Sequence, residues 1–212
     1  MFQVVLDNKS IIIGYSGHAY VVGDAYTFKG NEIDYYTNLI EVSYNPFNLK
    51  YLGCEADLNF KGWDMGLKFI LGIGDNNLRY KAAQLILSKF QKIENVIDSN
   101  AIISKTANIG IGVFASKGVL VNAFSKVNDF AILNTGCIIE HECEIGTAAH
   151  IAPGAVLAGN VKIGKRTFIG ANSVIKQGVE IGDDVIIGAG SVIIKNVSNN
   201  SKIVGNPGRV IK

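Results

Sequence analysis

Three histidines, His18, His141 and His150, are the only ones in the chain. An imidazole has an ordinary pKa of about 6.5 and can take up and return protons at neutral pH, and a well-placed general base speeds a reaction by roughly 10²–10⁴-fold. His141 stands in Ile139-Glu140-His141-Glu142. A carboxylate beside the ring can orient it and raise its basicity, and Glu142 is the nearest candidate. The pair suits removal of a proton from an amine or hydroxyl that attacks a thioester. An exposed histidine flanked by two acids, with no chemistry at all, fits the same residues. His150 ends one repeat unit and can face a ligand or close a corner. Cys54, Cys137 and Cys143 are odd in number and lack metal-site spacing. His141 and His150 alone make too poor a ligand set for zinc.

What must position these residues is a repeat. From Ile97 to Ser198 the chain reads in seventeen consecutive sixes, each opening on Ile, Leu or Val except at Ala115, with a small or β-branched residue fifth. Such a hexapeptide period marks a parallel β-helix. Three sixes make one coil of 18 residues, so about five and a half coils stack. The first residue of each six points inward, as does the fifth, which places Cys137 and Cys143 in the core. Glycines that follow the aliphatic, such as Gly146 and Gly164, are expected to serve unusual backbone angles. His141 is third in its six and should reach the prism surface. One coil beyond it lies Gly159, which should leave the wall bare for a thin thioester arm; a corner glycine is the plainer reading. Lys165-Arg166 reads as an exposed basic pair.

The first 95 residues read differently. Ser10–Ile13 is an expected strand, Gly14-Tyr15-Ser16-Gly17-His18 a turn, Ala19–Phe28 a helix and Glu32–Tyr36 a second strand, with Asp34 inside it. This is the opening of a nucleotide-binding α/β fold, though the glycines follow G-x-x-G rather than the dinucleotide pattern. Residues 37–65 read as loop with one short helix. Lys68–Ile73 is a third strand. Asp75 or Asn76 caps a helix at Asn77–Phe90, with Leu78, Ala82, Leu85, Ile86 and Phe90 as its apolar face and Arg79, Lys81 and Lys89 on a solvated one. The expected domains are 1–95 and 96–212. A net charge of +2 over 212 residues gives no electrostatic case for nucleic acid. No apolar run reaches the roughly 20 residues of a membrane span. No leader peptide is visible, and the cysteine usage fits a reducing cytoplasm.

The hexapeptide pattern resembles that of left-handed β-helix acyltransferases. Gly14-x-Ser16-Gly17-His18, Asn134-Thr135-Gly136, Ile139-Glu140-His141-Glu142, His150 and Ala158-Gly159-Asn160 are together similar to bacterial nucleotide-amino-sugar N-acetyltransferases and the related sialic acid O-acetyltransferases. The resemblance implies a Rossmann-like N-terminal domain before the β-helix and a homotrimer with acetyl-CoA between neighbouring prisms. It implies transfer to the 4-amino group of a nucleotide-linked deoxysugar without a metal. It also implies that His141 is the base, assisted by Glu142. Ser16, Gly17, His18, Gly74 and Asn134 are implied to hold the sugar nucleotide, and His150, Gly159, Ala171 and Ala189 to line the acetyl-CoA groove. The Gly205-Asn206-Pro207-Gly208 tail is similar to the segment that closes over coenzyme A in that family, and a plain cap on the prism fits it too. Where relatives end the second strand in an acidic pair, this chain has Thr37-Asn38, and Ala189 replaces a glycine. An O-acetyltransferase acting on a sugar hydroxyl, a zinc lyase on the same prism and a non-catalytic scaffold are the rival readings.

Overall fold

The computed structural model describes residues 9–211; residues 1–8 and 212 of the two expected domains lie outside the described residues. The chain begins with a four-stranded parallel sheet. Its strands are β1 (Ser10–Ile13), β2 (Tyr35–Thr37), β3 (Lys50–Tyr51) and β4 (Lys68–Leu71), in the order β3-β2-β1-β4. β1 is a run of three isoleucines because both its faces are covered, as parallel strands require. Ile11 and Ile13 pack towards Phe69, Ala82, Ala83 and Ile86, while Ile12 packs towards Ala19, Val22 and Ala25. The first helix, α1 (Gly17–Phe28), links β1 to β2, and α2 (Asn76–Ser88) follows β4. Asp75 caps α2: its Oδ1 accepts the Leu78 N–H at 2.8 Å.

Several sequence expectations need correction here. Asp34 precedes β2 and accepts the Ser10 N–H at 3.0 Å, so it braces the start of the sheet, far from its ligand-binding end. The edge strand β3 lies in a stretch read as loop, because two residues are too few to show alternation. The buried face of α2 is Asn76, Arg79, Ala82, Ala83 and Ile86, whereas Leu78 and Phe90 are exposed. Arg79 is not solvated; it is 1 % exposed. It reaches across to the second part of the chain, as Asn76 of the same helix also does.

That second part is a three-walled parallel prism. The first wall holds Val96–Ile97, Phe114–Ala115, Ile132–Leu133, His150–Ile151, Phe168–Ile169 and Ile186–Ile187. The second starts at Ile102–Ile103 and ends at Val192–Ile193, and the third runs from Asn108–Ile109 to Glu180–Ile181. Each two-residue strand pairs in parallel with the strand 18 residues on, as Ile138 does with Val156. The repeated aliphatics stack inside as one column. Polar residues at the fifth position are satisfied there: Ser125, Thr167 and Ser173 each donate to a carbonyl of the next coil, at 2.7, 2.7 and 3.0 Å.

The left-handed backbone angles fall at the fourth residue of each six from Gly112 to Gly190, including Phe130, Glu142, Ala148 and Arg166. The glycines after the aliphatics are needed for another reason, close approach of coils: a Cβ on Gly164 would lie 2.3 Å from the Gly182 carbonyl carbon. The end of the prism is closed by Lys202–Val204, parallel to Ile186–Ile187, and by Arg209–Ile211 turning back antiparallel to it.

The N-terminal domain lies on the first wall. Val96, Phe114 and Ile132 share a buried cluster with Ile12, Ala19, Val22 and Ile70, and Phe130 and Ala148 join the cluster under α2.

Candidate active site

Chemistry-bearing side chains gather at two places. The first is where the C-terminal ends of β1, β2 and β4 open, the usual ligand position in open α/β sheets. A cleft of about 450 Å³ lies there, lined by Gly14, Ser16, Asn38, Cys54, Gly74 and Leu78 among others. Ser16 precedes α1 without a side-chain cap, so the first N–H groups of that helix, those of Gly17 and His18, are free to meet an anion. A second cleft of about 580 Å³ adjoins it through Gly74 and is lined by His18, Asn134, His150, Arg166 and Phe168.

The rings in this second cleft are held by packing and one amide. Asn134 Oδ1 accepts the Thr135 N–H at 2.8 Å, which turns its Nδ2 to donate to His150 Nε2 at 3.1 Å. His150 lies edge-on to Phe168 with ring centres 5.1 Å apart. His18 lies edge-on to Phe114 at 5.5 Å and 6.1 Å from His150. Burial, then the charge of Arg79, push His18 down to about 4. Burial, Arg79 and His18 push His150 down to about 3, against a hydrogen bond with the Gly74 backbone. Both rings are therefore neutral at physiological pH. Among the described residues, His18 Nε2 is buried with no protein partner.

The second place is the edge between the second and third walls. His141 stands there with its ring exposed, and its Nδ1 meets Glu142 Oε2 at 3.0 Å. Glu142 is itself a left-handed corner residue whose N–H is held by the Ala123 carbonyl at 3.0 Å. Gly159, one coil on, lies directly under the ring: a Cβ there would come 2.4 Å from His141 Nε2 and Cε1. The bare wall at Gly159 is thus filled by the imidazole itself, not left open for a thioester arm.

Of the residues singled out from sequence, His18, Gly74, Asn134 and His150 come together, Ser16 lines the adjoining cleft, and Gly17 opens α1 between Ser16 and His18. Ala171 and Ala189 stack one coil apart, with Thr135 and Pro153, along the edge between the first and second walls where Asn134 stands. His141, Glu142 and Gly159 lie on the other edge of the second wall. Sequence reasoning missed Arg79, Asn76 and Phe168. It also took Arg166 for an exposed cation, whereas this residue is half-buried, pairs with Asp184 (Nη2–Oδ2, 2.5 Å) and lies 5.7 Å over the Tyr80 ring. The spacing of Arg79 to Ala82, Ala83 and Ile86 was the available signal for its burial. Among the described residues no three or more His, Cys, Asp or Glu gather to hold a metal ion, and no helix is long and apolar enough to cross a membrane.

A three-walled prism of hexapeptide coils with a parallel α/β domain on one wall is an architecture of hexapeptide-repeat acyltransferases. Comparison with known proteins narrows the class. Residues 9–86 match the PglD N-terminal domain, and residues 160–195 match the bacterial transferase hexapeptide (six repeats). PerB of Caulobacter crescentus, solved with CoA and GDP-perosamine, is 31% identical over 97% of this chain and 98% of its own, with a TM-score of 0.90. A histidine-to-asparagine variant of perosamine N-acetyltransferase from the same organism, with the same two ligands, is 30% identical over the same shares, with a TM-score of 0.92. The acetyltransferase domain of PglB from Neisseria gonorrhoeae, solved with acetyl coenzyme A, is 27% identical over 96% of this chain and 99% of that one, with a TM-score of 0.89. The chain belongs to the bacterial nucleotide-amino-sugar N-acetyltransferases, acetyl-CoA-dependent enzymes built on a Rossmann-like domain and a left-handed β-helix.

Proposed function

We propose that this enzyme acetylates the 4-amino group of a nucleotide-linked deoxysugar, with His141 as general base. In this reading residues 1–95 hold the nucleotide sugar and residues 96–212 provide the acyl-transfer wall. The observation that carries it is the outward His141 ring, oriented by Glu142 at 3.0 Å and seated on Gly159. That contact leaves Nε2 as the nitrogen able to receive a proton. Acetyl-CoA, when bound, supplies a thioester carbonyl and a thiolate leaving group. The amine nitrogen forms the new C–N bond, His141 takes its proton directly or through one water, and the C–S bond breaks with its electron pair passing to sulfur. A backbone N–H supports the oxyanion. Gly17 and His18, at the head of α1, meet the phosphates. The neutral His18, Asn134 and Gly74 approach the sugar, His150, Ala171 and Ala189 flank the acyl donor, and Gly159 seats the His141 ring. The relatives solved with GDP-perosamine support this substrate class.

Within one protomer the two halves of this site lie on different edges of the second wall, and the surface of that wall supports assembly with a second copy. The first wall is covered by the N-terminal domain. The third presents Lys126 to Glu144 at 3.5 Å and Lys162 to Glu180 at 2.6 Å, pairs that suit water. The second presents Ile102, Leu120, Ile138, Val156, Val174 and Val192, with Ile102 68% and Val174 41% exposed. An aliphatic stripe of this kind marks an interface, and a second copy fits it. Three prisms about a common axis would bring the His141 edge of one against the Asn134 edge of the next, completing each site in a homotrimer. The three free thiols suit a reducing compartment such as the cytoplasm.

The test is a panel of UDP-, GDP- and CMP-linked amino sugars and a sialic acid, each assayed with acetyl-CoA by thiol release. Turnover confined to a nucleotide-linked amine supports the proposal. Turnover only on a hydroxyl would overturn it.

A further inference from the structure

Arg79 makes a junction that the chemistry above does not use. Its guanidinium, 1 % exposed, spends every N–H on the two domains at once. Nε donates to the Phe130 carbonyl at 2.8 Å, and Nη1 to Gly74 at 2.9 Å and Ile73 at 3.2 Å. Nη2 donates to Ala148 at 2.8 Å and to Asn76 Oδ1 at 2.8 Å, with Ala149 further off at 3.4 Å. Asn76 completes the joint by donating from Nδ2 to the Arg166 carbonyl at 2.8 Å. Phe130, Ala148 and Arg166 are left-handed corners of three successive coils, 18 residues apart. The first turn of α2 therefore reads a ladder of corner carbonyls. Among the described residues no carboxylate forms an ion pair with this buried cation, although Asp75 lies near enough to favour its charge; its hydrogen bonds go to carbonyl oxygens and one amide.

The same atoms sit beside the substrate clefts. Gly74 links the two clefts, and Ala148 and Ala149 lead directly into His150. We propose that Arg79 is a positioning residue: it fixes the Gly74 loop to the coil bearing His150, and so sets where a nucleotide held by the first domain delivers its amino group. This rests on the nucleotide-amino-sugar reading given above. A mispositioning of about 1 Å far from the reacting atoms can cost about 10²-fold in rate, and binding of a remote substrate part helps the reaction only when its position is fixed relative to the reacting centre. A lysine keeps the charge but offers three donors from a single point, so it cannot hold carbonyls on both sides of the joint.

The experiment compares kcat/KM for a nucleotide-linked amino sugar with that for the same amino sugar lacking the nucleotide, in the wild type, in Arg79→Lys and in Asn76→Ala. The expected result is a ratio at least 10-fold lower in Arg79→Lys and roughly 3-fold lower in Asn76→Ala, with the KM of the linked substrate raised. A role in folding alone lowers both rates together by reducing the active fraction, and leaves the ratio and the KM unchanged; that outcome overturns the proposal. If Arg79→Lys does not fold, Asn76→Ala, which leaves the guanidinium in place, decides by the same ratio. A wild type that gains nothing from the nucleotide would overturn the substrate reading itself, and this assignment with it.

Discussion

His141 and His150 lie nine residues apart on one prism and live in opposite surroundings. His141 stands in water beside a carboxylate. His150 is covered by the N-terminal domain, flanked by Phe168 and His18, and held neutral. The difference comes from the coil. Nine residues is half a turn of an 18-residue coil, so one ring leaves the prism at the edge of an uncovered wall and the other emerges under a domain. The first can take a proton from solvent-accessible chemistry. The second is a fixed, uncharged acceptor for the Asn134 amide. In the function proposed above, one scaffold separates proton transfer, at the edge between the second and third walls, from substrate shaping, on the first wall, and a neighbouring copy would join the two.

The contrast is broken hardest at His141. His141→Ala should cost about 10²–10⁴-fold in kcat with thermal melting and oligomer size unchanged; near-normal turnover in a sound oligomer rules out the base. Next is the wall between the two edges. Ile138→Lys puts a charge on the aliphatic stripe and should split the proposed trimer into inactive protomers, seen as a lower mass by light scattering. A mass unchanged at micromolar concentration would place the interface elsewhere. Gly159→Ala sharpens the comparison without touching a polar group. Its methyl must displace the His141 ring, and we expect roughly 10-fold lower kcat with little change in melting temperature. The same rate as wild type would mean that the seat of the ring is unimportant.

The smallest effect concerns the buried pair. Unfolded histidines bind a proton below about pH 6.5, whereas native His18 and His150 resist protonation down to about 4 and about 3. The unfolded chain holds more protons in that window, so stability is fully present above pH 6.5 and is lost as pH falls towards 4. The slope is at most about 1.4 kcal/mol per pH unit for each histidine. Urea unfolding at pH 6.5, 5.5 and 4.5 should show it, and His150→Gln should lessen it. An equal slope in that variant would remove His150 from the account.

What sequence alone could reach follows from the same physics. The prism was legible because every coil repeats one packing problem, so Ile139, Ile145 and Ile151 announce their inward direction and His141 its outward one. The role of the glycines was not. Backbone angle and close approach leave the same letter, and only the coil spacing around Gly164 tells them apart. In the N-terminal domain Ile11–Ile13 and the Asp75 cap were readable from local chemistry. β3 is too short to leave a pattern, and Arg79 misleads because arginine is so seldom buried. Its partners on the prism are carbonyls of residues 51 and 69 positions away, which no local pattern contains. His150 could be seen as a candidate, but its neutrality depends on the domain lying over it.

The central claim is that each site takes His141 from one protomer and its clefts from the next. Subunit mixing tests it most directly. His141→Ala is refolded or co-expressed 1:1 with a cleft variant, Asn134→Asp combined with His18→Asn, each inactive alone. In a cyclic trimer every mixed assembly regains one intact site, so the account predicts recovery of roughly a quarter of wild-type activity. A mixture no more active than its parents, with mixed trimers shown to have formed, would contradict the claim and return both histidines to a single protomer's site.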